Sequence, residues 1–167
     1  MQRGQIVLVD TNIIIEAVRT NCWNALANHF ALETVDKCME EALTGDRLRR
    51  GYVKVDPAQL RKGVREAHAL VPIEMMKLAL ALPGSDELDP GERQLFGHAL
   101  RRTDTWIASC ADRAALKAAF ALGWNDRIVS LEVLARSAGA KPTLKMHFTE
   151  HWLSEIRTTF LLDKGLS

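Results

Sequence analysis

The feature that most constrains the fold is a short apolar run, IVLV at residues 6–9, that ends abruptly in the polar residues Asp10, Thr11 and Asn12. Consecutive branched and leucine residues without polar alternation are typical of a strand buried on both faces, as in the centre of a parallel sheet. Ligands of such sheets bind beyond the carboxyl ends of the strands. Asp10 stands at such an end, where its carboxylate either caps the next helix or binds a cation or substrate.

Chain length and charge narrow the classes of protein to consider. A chain of 167 residues with 47% hydrophobic content is long enough for one buried core, so we expect one domain. Lysine and arginine total 22 against 21 acidic residues, so net charge alone gives no attraction to nucleic acid. The three cysteines form no Cys-x-x-Cys pair, and no stretch approaches the roughly 20 apolar residues of a membrane span. We therefore expect a cytoplasmic protein without a membrane partner.

Strand and helix patterns alternate along the chain. Apolar runs predict further strands at 31–35, 105–109 and 127–129, and helical spacing predicts helices between them. Prolines at 57 and 72 suggest an antiparallel helix pair over 57–70 and 73–82. This order predicts an α/β fold, in which helices cover both faces of a parallel sheet. We assign residues 1–140 to that domain and 141–167 to an extension whose helix, at 149–162, packs on the same domain.

Carboxylates are predicted to gather at one edge of this sheet. Asp10 and Asp112 both follow strands, and Glu92 starts the helix that leads to the second of these strands. Each also has a simpler explanation, since Asp89 and Glu92 form a capping box and Asp112 can cap a helix. Acidic groups so close together repel one another unless a cation neutralises them. Oxygen ligands favour Mg²⁺ or Mn²⁺, and the expected chemistry is phosphodiester hydrolysis.

Taken together, these motifs resemble a PIN domain. They are the DTN sequence at 10–12 after the apolar strand, Glu41 shortly before Gly45, and Glu92 about twenty residues before Asp112. The resemblance covers roughly residues 5–135. It implies a three-layer α/β/α sandwich with a central parallel sheet and a metal-dependent endoribonuclease activity. Many bacterial proteins of this type and size are toxins of toxin–antitoxin pairs, so the resemblance also implies a cognate antitoxin and allows a homodimer.

By position, the resemblance gives metal binding and catalysis to four acidic residues. Thr11 and Asn12 would hold the first acid and its water network in place. The chain departs from the family pattern where Glu92 replaces the usual aspartate and Cys110 replaces a common hydroxyl residue. Glu40 and Glu33 remain alternatives for the second acid. The four assigned residues are Asp10, Glu41, Glu92 and Asp112.

Basic residues are candidates for contacts with substrate phosphates. Arg47, Arg49 and Arg50 surround Tyr52 in a polar segment, which is either a solvated loop or a flap that contacts phosphates and stacks a base. Arg113 follows the last acid directly and is a second candidate. If these arginines bind RNA, alanine substitution should weaken binding and reduce its salt dependence.

Two other functions compete with the ribonuclease hypothesis. One is a different metal-dependent phosphohydrolase, such as a haloacid-dehalogenase-like phosphatase that uses Asp10 as a nucleophile. That family has a second aspartate two residues later, and Asn12 occupies the position here. The other is a non-catalytic PIN-like module that binds RNA or a protein.

Overall fold

A computed structural model describes residues 1–45, 48 and 51–165 of the protein, with only the backbone of 164 and 165. In that part of the chain, four parallel strands form one sheet in the order β3-β2-β1-β4. The strands are β1 (Ile6–Val9), β2 (Ala31–Val35), β3 (Glu66–His68) and β4 (Trp106–Ser109). The α-helices that follow or connect them are α1 (Thr11–Arg19), α2 (Trp23–His29), α3 (Asp36–Thr44), α4 (Pro57–Gly63), α5 (Pro72–Ala81), α6 (Pro90–Arg101), α7 (Arg113–Ala121), α8 (Leu131–Ser137) and α9 (Glu150–Gly165).

Strand β1 is buried on both faces, as its sequence predicts. Leu8 belongs to a core formed with α5, α6, α7 and α9, whereas Val7 and Val9 belong to a second core formed with α1, α2, α4 and α8. All three side chains are completely buried. Helices therefore cover both faces of an all-parallel sheet, which confirms the predicted three-layer α/β/α sandwich.

The register of the sheet aligns the strand ends that matter for function. Both neighbours of β1 pair with it in parallel, and Val9 at its end stands opposite Ser109 at the end of β4. The loops that carry Asp10 and Asp112 therefore leave the same edge of the sheet. This placement agrees with the expectation drawn from the two apolar runs.

The prediction of one helix over 57–70 is wrong. Helix α4 ends at Gly63, and the chain then forms the short strand β3, which pairs with β2. Gly63 packs directly on Trp23, because an added Cβ atom would lie 2.4 Å from the indole nitrogen. Helix α5 packs mainly against α6 instead of forming a pair with α4. The predicted strand at 127–129 is reduced to a single bridge between Ala108 and Ile128.

The C-terminal segment is anchored on both sides of the sheet. The backbone N–H of Lys145 donates to the buried carboxylate of Glu16 at 3.0 Å, and Arg19 donates to the carbonyl of Thr143 at 3.2 Å. On the other side, Phe160 of α9 packs on Phe120 with ring centroids 5.3 Å apart. The tail is thus continuous with both cores.

No helix in the described part of the chain combines the length and the apolar character that crossing a membrane requires.

Candidate active site

Asp10 is a buried carboxylate in which one of the two oxygens accepts a hydrogen bond. It caps α1, where its Oδ1 accepts a hydrogen bond from the N–H of Ile13 at 2.7 Å. The residue is 1% exposed, and its Oδ2 has no hydrogen-bond partner among the described residues. Because an unpaired buried carboxylate oxygen is costly, capping alone does not account for this side chain.

Helix α6 brings Glu92 to the same region. Asp89 caps the helix by accepting from the N–H of Glu92 at 2.8 Å, as the capping-box pattern predicts. The side chain of Glu92 does not complete the box. It is buried, and its Oε1 also has no hydrogen-bond partner in the described part of the chain. Glu92 therefore adds a second buried carboxylate oxygen that lacks a hydrogen-bond partner among the described residues.

Asp112 lies at the start of α7, after β4. Its Oδ1 accepts from the N–H groups of Ala114 at 2.7 Å and Ala115 at 3.1 Å, so the side chain is oriented as a helix cap. It is half-buried, in contrast to Asp10. Arg113 follows it and is exposed at the rim of the acidic group.

Glu41 reaches the cluster through contacts with two other elements. Its Oε2 accepts a hydrogen bond from the hydroxyl of Thr11 at 2.7 Å. A Cβ atom added to Gly91 would lie 2.5 Å from the same oxygen, so α6 approaches it closely. The alternatives face elsewhere, since Glu40 pairs with Lys37 at 3.0 Å and Glu33 belongs to a separate cluster. Among the three candidates, the structure brings Glu41 next to Thr11 and Gly91.

Burial, with smaller contributions from neighbouring charges, raises the pKa of two of the acidic residues. Burial raises the pKa of Asp10 from 3.8 to about 7, and the charges of Asp89 and Asp112 add to the rise. Burial likewise raises the pKa of Glu92 from 4.5 to about 8, helped by Asp89, Asp10 and Asp112. The charges of Asp10, Asp89 and Asp112 therefore act on one another or on Glu92, in addition to the larger effect of burial. Cys110 lies among them, and burial raises its thiol pKa well above 9.0, so the thiol stays neutral.

Asp89 is the member of this group that sequence reasoning missed. The sequence predicts Asp89 only as the N-cap of a helix, and the structure confirms that Asp89 caps α6. Its charge nevertheless acts on both Asp10 and Glu92. The available signal was its position three residues before Glu92. A capping box explains that spacing equally well, so sequence alone did not reveal the additional charge.

The donor types of the acidic cluster suit a hard divalent cation, but the carboxylates would have to move closer together around it. All candidate ligands are carboxylate oxygens, and among the described residues no three of them have ligand atoms all within 4.8 Å of one another. Two of these oxygens are buried without partners in the described part of the chain, and a cation would relieve both the repulsion and the unsatisfied oxygens. Mg²⁺ and Mn²⁺ prefer such ligands. The exposed Asn12 lies beside Asp10 and Thr11 at the mouth of the cluster. Arg47, Arg49 and Arg50, the other predicted substrate contacts, lie outside the described residues.

A second titratable cluster lies at the other end of α6. Ligand atoms of Glu33, His68 and His98 all lie within 4.8 Å of one another, which makes them a candidate metal group. However, Arg65 binds one oxygen of Glu33, and Arg102 and His68 share the other. The two imidazole rings are stacked, with centroids 3.8 Å apart.

The electrostatics of this second cluster favour an ion-pair network over a cation site. Burial alone would raise the pKa of Glu33, but hydrogen bonds from His68 and Arg102 outweigh it and hold the pKa below its ordinary value. Burial and the positive charge of its neighbours lower the pKa of His98 to about 4. Two guanidinium groups already neutralise the carboxylate, so a metal ion would have to displace them. The network ties β2, β3 and α6 together.

No family model, curated protein or solved structure matches this chain in the three comparisons made. The chemical character of the acidic cluster is therefore known only from its own residues.

Proposed function

We propose that this protein is a metal-dependent endoribonuclease whose active site is the acidic cluster. The observation that carries the proposal is the pair of buried carboxylate oxygens on Asp10 and Glu92 for which the described residues offer no hydrogen-bond partner. The charges of Asp89 and Asp112 act on both residues. Burying two such groups destabilises a fold unless a ligand compensates for them. A divalent cation is the ligand with the matching charge and oxygen preference.

In this proposal, each residue of the cluster has a defined role. Asp10, Glu41, Glu92 and Asp112 would hold Mg²⁺ or Mn²⁺. The bound ion would activate a water molecule and stabilise the charge that develops on the phosphodiester group. Thr11 positions Glu41 through its hydroxyl hydrogen bond. Arg113, exposed beside Asp112, would contact a substrate phosphate and offset the negative charge of the cluster.

The biological setting is part of the same proposal. The motifs that resemble a PIN domain support RNA as the substrate. They also support a role as the toxin of a toxin–antitoxin pair, with a cognate antitoxin and a homodimer. The absence of a Cys-x-x-Cys pair among the three cysteines supports a cytoplasmic location. The α/β/α sandwich with its central parallel sheet agrees with what that resemblance implies for the fold.

The test compares two aspartates that both cap helices. Labelled single-stranded RNA is incubated with the protein in Mg²⁺, in Mn²⁺ and in chelator, beside the variants Asp10→Asn and Asp56→Asn. Asp56 caps α4 through the N–H of Gln59 at 2.7 Å and is not part of the acidic cluster. We expect metal-dependent cleavage by the parent and by Asp56→Asn, and loss of cleavage by Asp10→Asn, because asparagine preserves the cap but removes the charge.

Other outcomes identify the competing functions. Release of phosphate from a small phosphomonoester, without RNA cleavage, would indicate a phosphohydrolase of another type. RNA binding without cleavage under every metal condition would indicate a binding module. Cleavage that Asp10→Asn retains at the parental rate would contradict the proposed active site.

The contact proposed for Arg113 is tested separately by RNA binding. Replacing Arg113 by alanine should weaken binding and lower the slope of log K against log salt by about 1. Lys117→Ala is the matched control, because Lys117 is an exposed cation one turn further along α7. Equal effects of the two substitutions would remove Arg113 from the site.

A further inference from the structure

A cavity of about 380 Å³ is lined by residues that directly neighbour the acidic cluster in sequence. Its lining includes Asn12, two residues after Asp10, and Ala42, next to Glu41. Thr11, which donates to Glu41, directly precedes Asn12 in α1, so α1 and α3 each carry a residue of the cluster next to a residue of this flanking cavity. A chain-like substrate bound at the carboxylates could therefore place an adjoining unit in the flanking cavity.

Three aromatic residues, which we call the aromatic wall, line the flanking cavity: Tyr52, His147 and Phe148. Tyr52 packs near Gly45, where an added Cβ atom would lie 3.6 Å from its ring. The rings of His147 and Phe148 have centroids 4.3 Å apart, and Trp152 supports His147 at 6.2 Å. Flat rings facing a cavity are suited to flat ligands, and nucleobases stack on such rings without regard to sequence.

The polar groups of the cavity suit a nucleotide as well. Asn12 offers an exposed amide, which can both donate to and accept from the edge of a base. Lys145 supplies an exposed ammonium group, 4.0 Å from the carboxylate of Glu16, which would have to turn toward a phosphate. The carboxylate of Glu16 does not oppose an anion here, because it pairs with Arg19 at 2.6 Å and accepts from the backbone of Lys145.

The aromatic wall is held rigidly in place. The 3₁₀ turn Met146–Phe148 follows Lys145, whose backbone is bonded to buried Glu16. Phe148 is itself buried in the core that contains α1. A wall fixed in this way keeps its position before the ligand arrives, so little ordering entropy is lost on binding.

We infer that the flanking cavity binds an unpaired nucleotide of the RNA, with its base stacked on Tyr52 and His147, next to the phosphodiester at the acidic cluster. The inference rests on the proposed ribonuclease function and adds to it a nucleotide subsite formed by residues of this cavity. Bases in a duplex are already stacked and paired, so they are not free to enter a side cavity.

The test measures binding in a protein that does not cleave. In the Asp10→Asn background with Mg²⁺, the affinity for a fluorescently labelled single-stranded RNA is measured at several salt concentrations. Tyr52→Ala and His147→Ala should each weaken binding by about 5- to 100-fold, the range expected for one stacked base. The salt slope should stay unchanged, because stacking releases no counterions.

Two variants separate stacking from other effects. Tyr52→Phe should bind as the parent does, because it keeps the ring and loses only the hydroxyl. His151→Ala should also have no effect, since His151 is 80% exposed on α9 and pairs with Glu155. Thermal unfolding of each variant checks that it is folded.

The outcomes distinguish this inference from the proposed function. If the wild-type protein cleaves RNA but Tyr52→Ala binds as well as its parent, the nucleotide subsite is overturned and the ribonuclease stands. If the ring variants lose affinity while no metal condition gives cleavage, the subsite is supported and the ribonuclease fails. Equal losses in Tyr52→Phe and Tyr52→Ala, or no measurable RNA binding, would overturn the subsite.

Discussion

Without a divalent ion, the stability of the protein should fall as the solution becomes alkaline. Burial and neighbouring charges raise the pKa of Glu92 from 4.5 to about 8 in the folded protein. The folded state therefore holds this proton more tightly than the unfolded chain does, and the stabilisation is lost as pH rises through the folded pKa. Asp10, with its pKa raised to about 7, acts in the same direction.

The size of the effect follows from the pKa of Glu92. Between about pH 6.5 and about pH 9, deprotonation of this group should cost about 2 kcal/mol, at about 1.4 kcal/mol per pH unit below its pKa. For a chain of this length, that corresponds to a fall in Tm of about 4–8 °C. The range starts at about pH 6.5 because His98, whose pKa is lowered to about 4, adds an opposite trend at lower pH.

Thermal unfolding in chelator, followed by circular dichroism, measures this loss. Glu92→Gln should flatten the profile, whereas Glu87→Gln, which removes an exposed carboxylate near the start of α6, should not. At pH 8.5, Mg²⁺ at about 100 times its Kd should restore about 2.7 kcal/mol to the wild-type protein. A wild-type Tm that is constant or rises over this pH range, or a Glu92→Gln variant with the wild-type slope, would refute the reasoning.

Three further substitutions test other parts of the structure. Thr11→Val should reduce metal affinity or cleavage by about 10- to 100-fold because Glu41 loses its hydrogen bond, while Thr11→Ser should preserve both in a metal titration. Gly91→Ala should abolish cleavage with little loss of Tm, since the new methyl group displaces the Glu41 carboxylate; unchanged cleavage would contradict that packing. Glu33→Gln should lower the unfolding free energy in urea by about 1–3 kcal/mol, because the largely buried Arg102 loses a charged acceptor, although it keeps Asp104. Replacing the exposed Asp104 by asparagine should cost no more than about 1 kcal/mol.

The parts of the fold predicted correctly are those with a strong local signal. The run at residues 6–9 is uniformly apolar, and burial on both faces is what such a run requires. The start of α6 combines a capping aspartate with proline, and both occupy the predicted positions. Local signals of this kind depend on neighbouring residues, which the sequence displays directly.

Strand β3 could not be predicted because its cause is remote in sequence. Its residues Glu66, Ala67 and His68 show no apolar alternation. The strand is stabilised by pairing with β2, and by Arg65 and His68 binding the buried carboxylate of Glu33. A sequence pattern does not show that an acidic residue more than thirty positions away is buried and needs positive partners.

The candidate site shows the same division between local and remote information. The positions of Asp10 and Asp112 after adjacent parallel strands followed from the order of elements. By contrast, the choice of Glu41 over its acidic neighbours depends on its contacts with Thr11 and Gly91, which only packing reveals. The raised pKa values of Asp10 and Glu92, and the lack of partners for one oxygen of each among the described residues, likewise arise from burial in the folded protein.

The bond from Lys145 to Glu16 has a consequence for how the molecule is made. The buried carboxylate of Glu16 on α1 lacks this backbone partner until the chain has been synthesised as far as Lys145, 129 residues later. The aromatic residue His147 can therefore take its place beside α1 only after most of the sheet and its helices have been made. A nascent chain would contain its acidic residues before it acquires the neighbouring cavity.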